Sequence, residues 1–218
     1  MTMLDRYRDN WPRVGGAIAM GLAGAVALKP RRMSKPRRMS KPQALSALNL
    51  AALMVHQYEE MEDPGYFVGQ FNGGIFHSEQ PERYPLNTNS NLIINVPLAY
   101  TFYLRPVLFP KRRWLGLGAR AVRLRAILRT RRDLPRLTKD RYVPGLPAAL
   151  LLHVPIGIQY VRALRDEAPI KPADWKKAGL YTVAFAASSV GGPKLLLRDK
   201  NSPYAFTAKQ VGRFAVDG

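Results

Sequence analysis

The sequence predicts an all-α fold: a multi-pass bundle of about five membrane-spanning helices, in a single domain covering residues 1–218. Two observations predict it. Apolar stretches of near-span length recur at 11–28, 45–61, 91–109, 146–164 and 178–197, and a span needs about 20 such residues. Lysine and arginine collect in blocks between them, at 29–41, 111–113 and 120–141, as they do in cytoplasmic loops.

Composition narrows the function classes. The 218 residues carry a formal net charge of +19, with a pI of about 10.6. Such a charge points to nucleic acid or to a membrane surface. Its placement between apolar runs favours the membrane, and no RNA-recognition, zinc-finger or helix-turn-helix pattern is present. Membrane lipid is therefore the expected partner and nucleic acid is not. The mean hydropathy of −0.19 is low for a membrane protein; the basic loops account for much of it. Without cysteine there is neither a disulfide framework nor a thiolate metal ligand. Any metal would use His, Asp or Glu, donors suited to Zn, Fe or Mn.

The first span, Trp11 to Leu28, is rich in Gly and Ala and has Trp11 at its interface. Small residues let a neighbouring helix approach closely. Residues 29–42 repeat Lys-Pro-Arg-Arg-Met-Ser twice; proline and like charges predict a disordered cytoplasmic loop. The second span, Leu45 to Met61, ends in His56-Gln57-Tyr58-Glu59-Glu60, and Pro64-Gly65 stops it. Asn49, seven residues before His56, shares roughly its face; it could support a site residue from behind or bond a neighbouring helix, and the interhelical role is the preferred reading.

Asp63 to Ser90 is rich in Gly and Pro and is the one acidic stretch, which predicts an outside loop. Asn91 to Phe109 is the third span, interrupted by Asn95, Pro97 and Arg105. The arginine density of 115–141 is too high for a span. Each arginine at a bilayer centre costs roughly 2.5–3.5 kcal/mol, so this segment is expected to lie on the membrane surface. Leu146 to Leu164 is the fourth span, with His153 near its middle, and Ala178 to Leu197 is a weaker fifth. The charge asymmetry sets the N-terminus outside, and an odd number of spans then leaves the polar tail 198–218 inside.

His56, Glu59 and Glu60 stand at i, i+3 and i+4. A helix turns about 100° per residue, so they share one face. A histidine at mid-membrane depth tends to be functional, which adds His153.

Several of these residues together resemble a known family. His56-x-x-Glu59-Glu60, Pro64-Gly65-Tyr66-Phe67, Tyr84-Pro85-Leu86-Asn87, Asn95 and Tyr142-Val143-Pro144-Gly145 look like the HXXEE-motif family of bacterial multi-pass membrane proteins, which has no assigned function. The resemblance runs from about Trp11 to about Phe214. It implies that His56, Glu59, Glu60, Tyr142, Pro144 and Gly145 are the positions that matter. It also implies a further histidine just before Tyr142. This chain has arginines there, so either His153 supplies that role or it is missing.

Two chemistries are open to these residues. In one, His56, Glu60 and His153 bind a divalent metal and Glu59 acts as general base on a metal-bound water. The protein would then be an inner-membrane hydrolase or oxidoreductase acting on a lipid-like substrate. In the other, the protein is a non-enzymatic membrane protein or transporter, with the same residues relaying a proton or an ion.

Overall fold

The computed structural model describes residues 2–27, 39–122 and 142–215. The described residues are helical, with no strand among them. Helix α2 (Lys41–Met61) is the axis of the fold. Ser40 caps it, its hydroxyl accepting the Gln43 N–H at 3.3 Å, and Pro42 sits in its first turn. Past Met61, Pro64 and the left-handed Gly65 (φ +83°) turn the chain away. Six successive residues of α2, Asn49 to Met54, are buried. That covers more than a full turn, so α2 is enclosed on all sides at its middle.

The other helices surround it. Helix α1 (Met3–Ala27) lies antiparallel to α2, and Arg13 reaches Glu62 at 3.0 Å. Gly15 and Gly16 face α2, where a Cβ would meet Met54 Cβ at 3.8 Å and Tyr58 Cδ2 at 3.4 Å, and Gly15 also leaves room for the Tyr100 hydroxyl, 2.6 Å from where its Cβ would lie. Helix α3 (Phe67–Gly69) opens into a π turn, Gln70–Ile75. Helices α4 (Thr88–Ile93) and α5 (Ala99–Leu108) form one rod through a π turn at Ile94–Leu98. Helix α6 covers 113–122. Helices α7 (Leu146–Ala148) and α8 (Val154–Glu167) form a second rod, joined by a π turn at Ala149–His153. Helix α9 (Pro172–Ala186) continues through a π turn, Ala187–Gly191, into α10 (Gly192–Leu196). Short α11 (Ala208–Val211) follows. Pro97 and Pro155 cannot donate an i→i−4 bond, and the first two of these rods widen into a π turn at or just before each.

A central apolar cluster joins Leu50, Leu53 and Met54 of α2 to Phe102, Leu115 and Tyr181 of α5, α6 and α9. The Phe102 and Tyr181 rings stack at 3.9 Å between centroids. Among the described residues only Leu146–Glu167 is both long and apolar enough to cross a membrane. Polar residues dilute the other helices: Arg13 in α1, Asn49, His56 and Gln57 in α2, Asn91 and Asn95 in the α4–α5 rod.

Contacts fix which ends of the helices lie together. At the His56 end, Trp11, Met61, Leu86, Phe206 and Val211 share one apolar cluster. At the opposite end Gln43 bonds the Val107 carbonyl, and Arg113 bonds the Ala168 carbonyl and pairs with Glu167.

This arrangement corrects three expectations. Residues 198–215 are not a free tail. Phe206 and Val211 are buried, the Thr88 N–H donates to the Tyr204 carbonyl, and the Phe206 N–H donates to the Glu82 carbonyl. The described ends of the chain, through Trp11 and Val211, therefore both pack at the His56 end, whereas an odd number of spans would have separated them.

The acidic stretch is also not all loop. Phe67–Ile75 is helical, held by a tertiary contact in which Gly69 lies directly against the Val211 backbone; no side chain fits there, with a Cβ falling 1.7 Å from the Val211 carbonyl oxygen.

Finally, the chain stands at the Glu167 end at Arg113 and at the His56 end at Tyr142. The segment expected to lie on the membrane surface begins inside the bundle instead. Leu115, Leu117, Ala119 and Arg120 of that segment are buried in the bundle. The rest of the expected surface helix, 123–141, and the repeat at 29–38 lie outside the described residues.

Candidate functional site

The last turns of α2 meet the Tyr142–Gly145 turn and the start of α7. His56 is buried, and its Nδ1 lies 2.6 Å from the Gly145 carbonyl oxygen. A carbonyl only accepts, so Nδ1 carries a proton. Nε2 then faces Glu60 Oε1 at 2.9 Å. A carboxylate and an unprotonated Nε2 would both be acceptors, so one further proton is held between these two side chains.

Glu59 points to the other side of the same turn. The Tyr142 hydroxyl donates to its Oε1, and the Ala148 N–H donates to its Oε2 at 3.0 Å. Ala148 lies in the first turn of α7, where backbone N–H groups have no helical acceptor. Gly145 at the helix start has no side chain to cap it, and Pro147 has no N–H. Glu59 supplies the cap from a different helix, and its negative charge suits the helix N-terminus.

Tyr142, Pro144 and Gly145 gain a structural explanation from this. Pro144 is fully buried and stiffens the turn. Gly145 has φ +84°, and a Cβ on it would lie 2.5 Å from His56 Cε1 and 2.8 Å from Glu60 Cγ. Only glycine combines that backbone with that closeness. Burial, then the hydrogen bond to Glu59, holds the Tyr142 phenol well above the usual tyrosine range.

His153 lies deeper. Its Nδ1 is 2.8 Å from Asn49 Oδ1, so Asn49 is an interhelical partner, as its register predicts. The His153 ring stands edge-on to His56, 6.1 Å between centroids, and edge-on to Tyr103 at 6.2 Å. His56 Nε2 and Glu60 Oε1 converge, while Glu59 and His153 are engaged elsewhere. Among the described residues no three His, Asp or Glu side chains form a group that could hold a metal ion.

The sequence around this site identifies the family. A family model described as a protein of unknown function with HXXEE motif matches residues 47–160. The chain belongs to the HXXEE-motif family. No curated protein and no solved structure matches it. The matched region contains both halves of the site, His56 to Glu60 and Tyr142 to Gly145. In this HXXEE protein the two motifs are therefore one lock, closed by hydrogen bonds across 83 to 89 residues.

Sequence reasoning named Asn95 but left out the other amides that brace the site, Gln57, Asn91, Gln70 and Asn72. Gln57, one of the variable positions of the motif, donates to the Asn95 carbonyl at 3.0 Å and to its Oδ1 at 3.1 Å. Asn95 donates to Asn91 Oδ1 at 2.8 Å, and Gln70 to the Tyr142 carbonyl at 2.9 Å. Fully buried Asn72 ties the 70–75 turn to the backbone of Pro81 and Leu86. The signal available was the count of amides in otherwise apolar segments, since a buried amide needs partners.

Proposed function

We propose that this HXXEE protein is an integral protein of the bacterial inner membrane. Its His56–Glu60 pair holds and exchanges a single proton, as a relay rather than as a metal centre. The observation that carries this reading is the pair itself. Nδ1 of His56 is committed to the Gly145 carbonyl, so the Nε2–Glu60 contact at 2.9 Å requires one proton between its two acceptors. Buried ionisable residues of this kind inside membrane helices mark proton relays.

The distribution of polarity supports the membrane half. Asn49, His56, Gln57, Gln70, Asn72, Asn91 and His153 are buried, while Met20, Leu151, Leu180 and Leu196 are each more than 70 % exposed. A bundle with amides inside and aliphatics outside suits a hydrocarbon surround better than water. A metal-dependent enzyme would need a third donor beside His56 and Glu60, since catalytic zinc sites use three protein ligands.

The test uses purified protein in vesicles carrying an internal pH-sensitive dye. An imposed pH gradient should dissipate faster with the wild type than with H56A or E60Q. Equal rates in all three, from protein that inserts and folds alike, would remove the relay.

A further inference from the structure

We infer that the groove between α6 and α8 binds an anionic phospholipid, its acyl chain along α8 and its phosphate on Arg162 and Arg165. A cavity of about 420 Å³ opens there, bounded by α2 and α6 on one side and by α8 and Trp175 on the other.

The sequence of α8 explains its shape. His153, Gly157, Val161 and Arg165 recur every four residues and all line the cavity, as do Val154, Ile158 and Arg162 beside them. They form one continuous stripe, roughly 18 Å long at 1.5 Å per residue. The stripe is polar at the deep end, aliphatic in the middle and basic at the far end. The deep polar groups are already joined, His153 to Asn49 at 2.8 Å. A chain terminus can end there, but a head group gains nothing.

Charge sets the other end. Arg162 and Arg165 are exposed, and no acidic side chain lines the cavity. The wall also holds Arg120, only 9 % exposed, which has no ion-pair partner among the described residues. Its guanidinium lies 3.5 Å over the Tyr160 ring and donates to the Gly116 and Leu45 carbonyls, and its Nε has no hydrogen-bond partner. Three arginines without an acid favour a phosphate over any neutral or cationic head. Trp175 at the basic mouth is half-exposed, as a tryptophan at a membrane interface is. Gly157 keeps the middle open: a Cβ there would make only ordinary contact with Arg120 Cδ at 3.9 Å, and anything longer would enter the groove.

The site rests on the membrane reading above, and the test separates the two. The protein is placed in phosphatidylcholine nanodiscs doped with brominated-chain phosphatidylglycerol or brominated-chain phosphatidylcholine. The signal is the fluorescence quenching that W175F removes. Brominated phosphatidylglycerol should quench at roughly thirtyfold lower mole fraction, the preference that two interfacial arginines provide at about 1 kcal/mol each. R162Q/R165Q should erase that preference. G157L should reduce quenching by both lipids, while G157A should leave it unchanged.

Equal quenching by the two lipids in the wild type would overturn the site and leave the membrane reading standing. A preference surviving in R162Q/R165Q would overturn the head-group assignment. Loss of quenching on adding inorganic phosphate would overturn the acyl-chain assignment. Failure to enter the discs would remove the membrane reading and the site together.

Discussion

Glu59 caps a helix that begins far along the chain, its Oε2 accepting the Ala148 N–H at 3.0 Å across 89 residues. Its Oε1 takes the Tyr142 hydroxyl at the same time. Both oxygens of this carboxylate are therefore occupied in holding α7 against α2. Glu59 thus fastens two helices, and the adjacent Glu60 is the carboxylate that faces a histidine nitrogen.

Replacing Glu59 by Gln should separate these roles. The cap weakens because the anion is lost, by about 0.5–2 kcal/mol. The His56–Glu60 contact stays. Thermal unfolding in detergent should show the lower stability, while the dissipation rate in vesicles stays near the wild-type value. A rate as low as that of E60Q would return Glu59 to the proton-handling group.

Gly145→Ala should be among the most damaging single-methyl additions in the protein. It meets a φ of +84° and a Cβ 2.5 Å from His56 Cε1. Backbone strain alone costs about 1–3 kcal/mol, and the displaced imidazole adds to it. A melting temperature within a degree or two of wild type would contradict the lock between the two motifs.

His56 and Glu60 should couple. Removing His56 alone leaves a nearly buried carboxylate without its partner; its side chain is 14 % exposed. Breaking a buried pair costs about 3–5 kcal/mol, and removing both partners costs less than the two single losses summed. A double-mutant cycle with H56A, E60A and H56A/E60A measures this by denaturant unfolding. Additive effects would mean that the pair does not form.

Tyr142 should be visible in an alkaline titration. Burial first, then the bond to Glu59, raises its pKa above the ordinary 10.0. The folded state thus keeps a proton that the unfolded state releases above that value. The stability contributed is complete below pH about 10 and declines as pH rises beyond it. Ultraviolet titration of the folded protein should show one fewer late-ionising tyrosine in Y142F than in the wild type, and Y142F should flatten the alkaline loss of stability.

Deleting residues 198–218 should destabilise the His56 end. Val211 is 1 % exposed, lies against Gly69 and shares a cluster with Trp11 and Met61. Burying a side chain of this size contributes about 1.5–3 kcal/mol, and Phe206 contributes similarly. A truncated protein that melts like the full chain would restore the view of this segment as a free tail.

Much of the site was legible in the sequence because it is local. Helical spacing alone places His56, Glu59 and Glu60 on one turn, and Pro64-Gly65 ends that turn where the structure ends it. Asn49 was identifiable as an interhelical partner from its register. The link between the two motifs was not derivable from spacing, since nothing local joins residue 56 to residue 145; only the resemblance to the HXXEE family set them side by side.

What the sequence determined by itself is the helical class, the positions of the main helices and the face that His56 and Glu60 share. These follow from short-range hydrogen bonding and 3.6-residue periodicity. Tertiary structure decided the rest: that Glu59 caps α7, that His153 pairs with Asn49 and stands 6.1 Å from His56, and that the last residues seal the His56 end. Each of these depends on partners far apart in the chain. Such a contact forms only when packing of the whole bundle has brought its two sides together, and no local propensity encodes it.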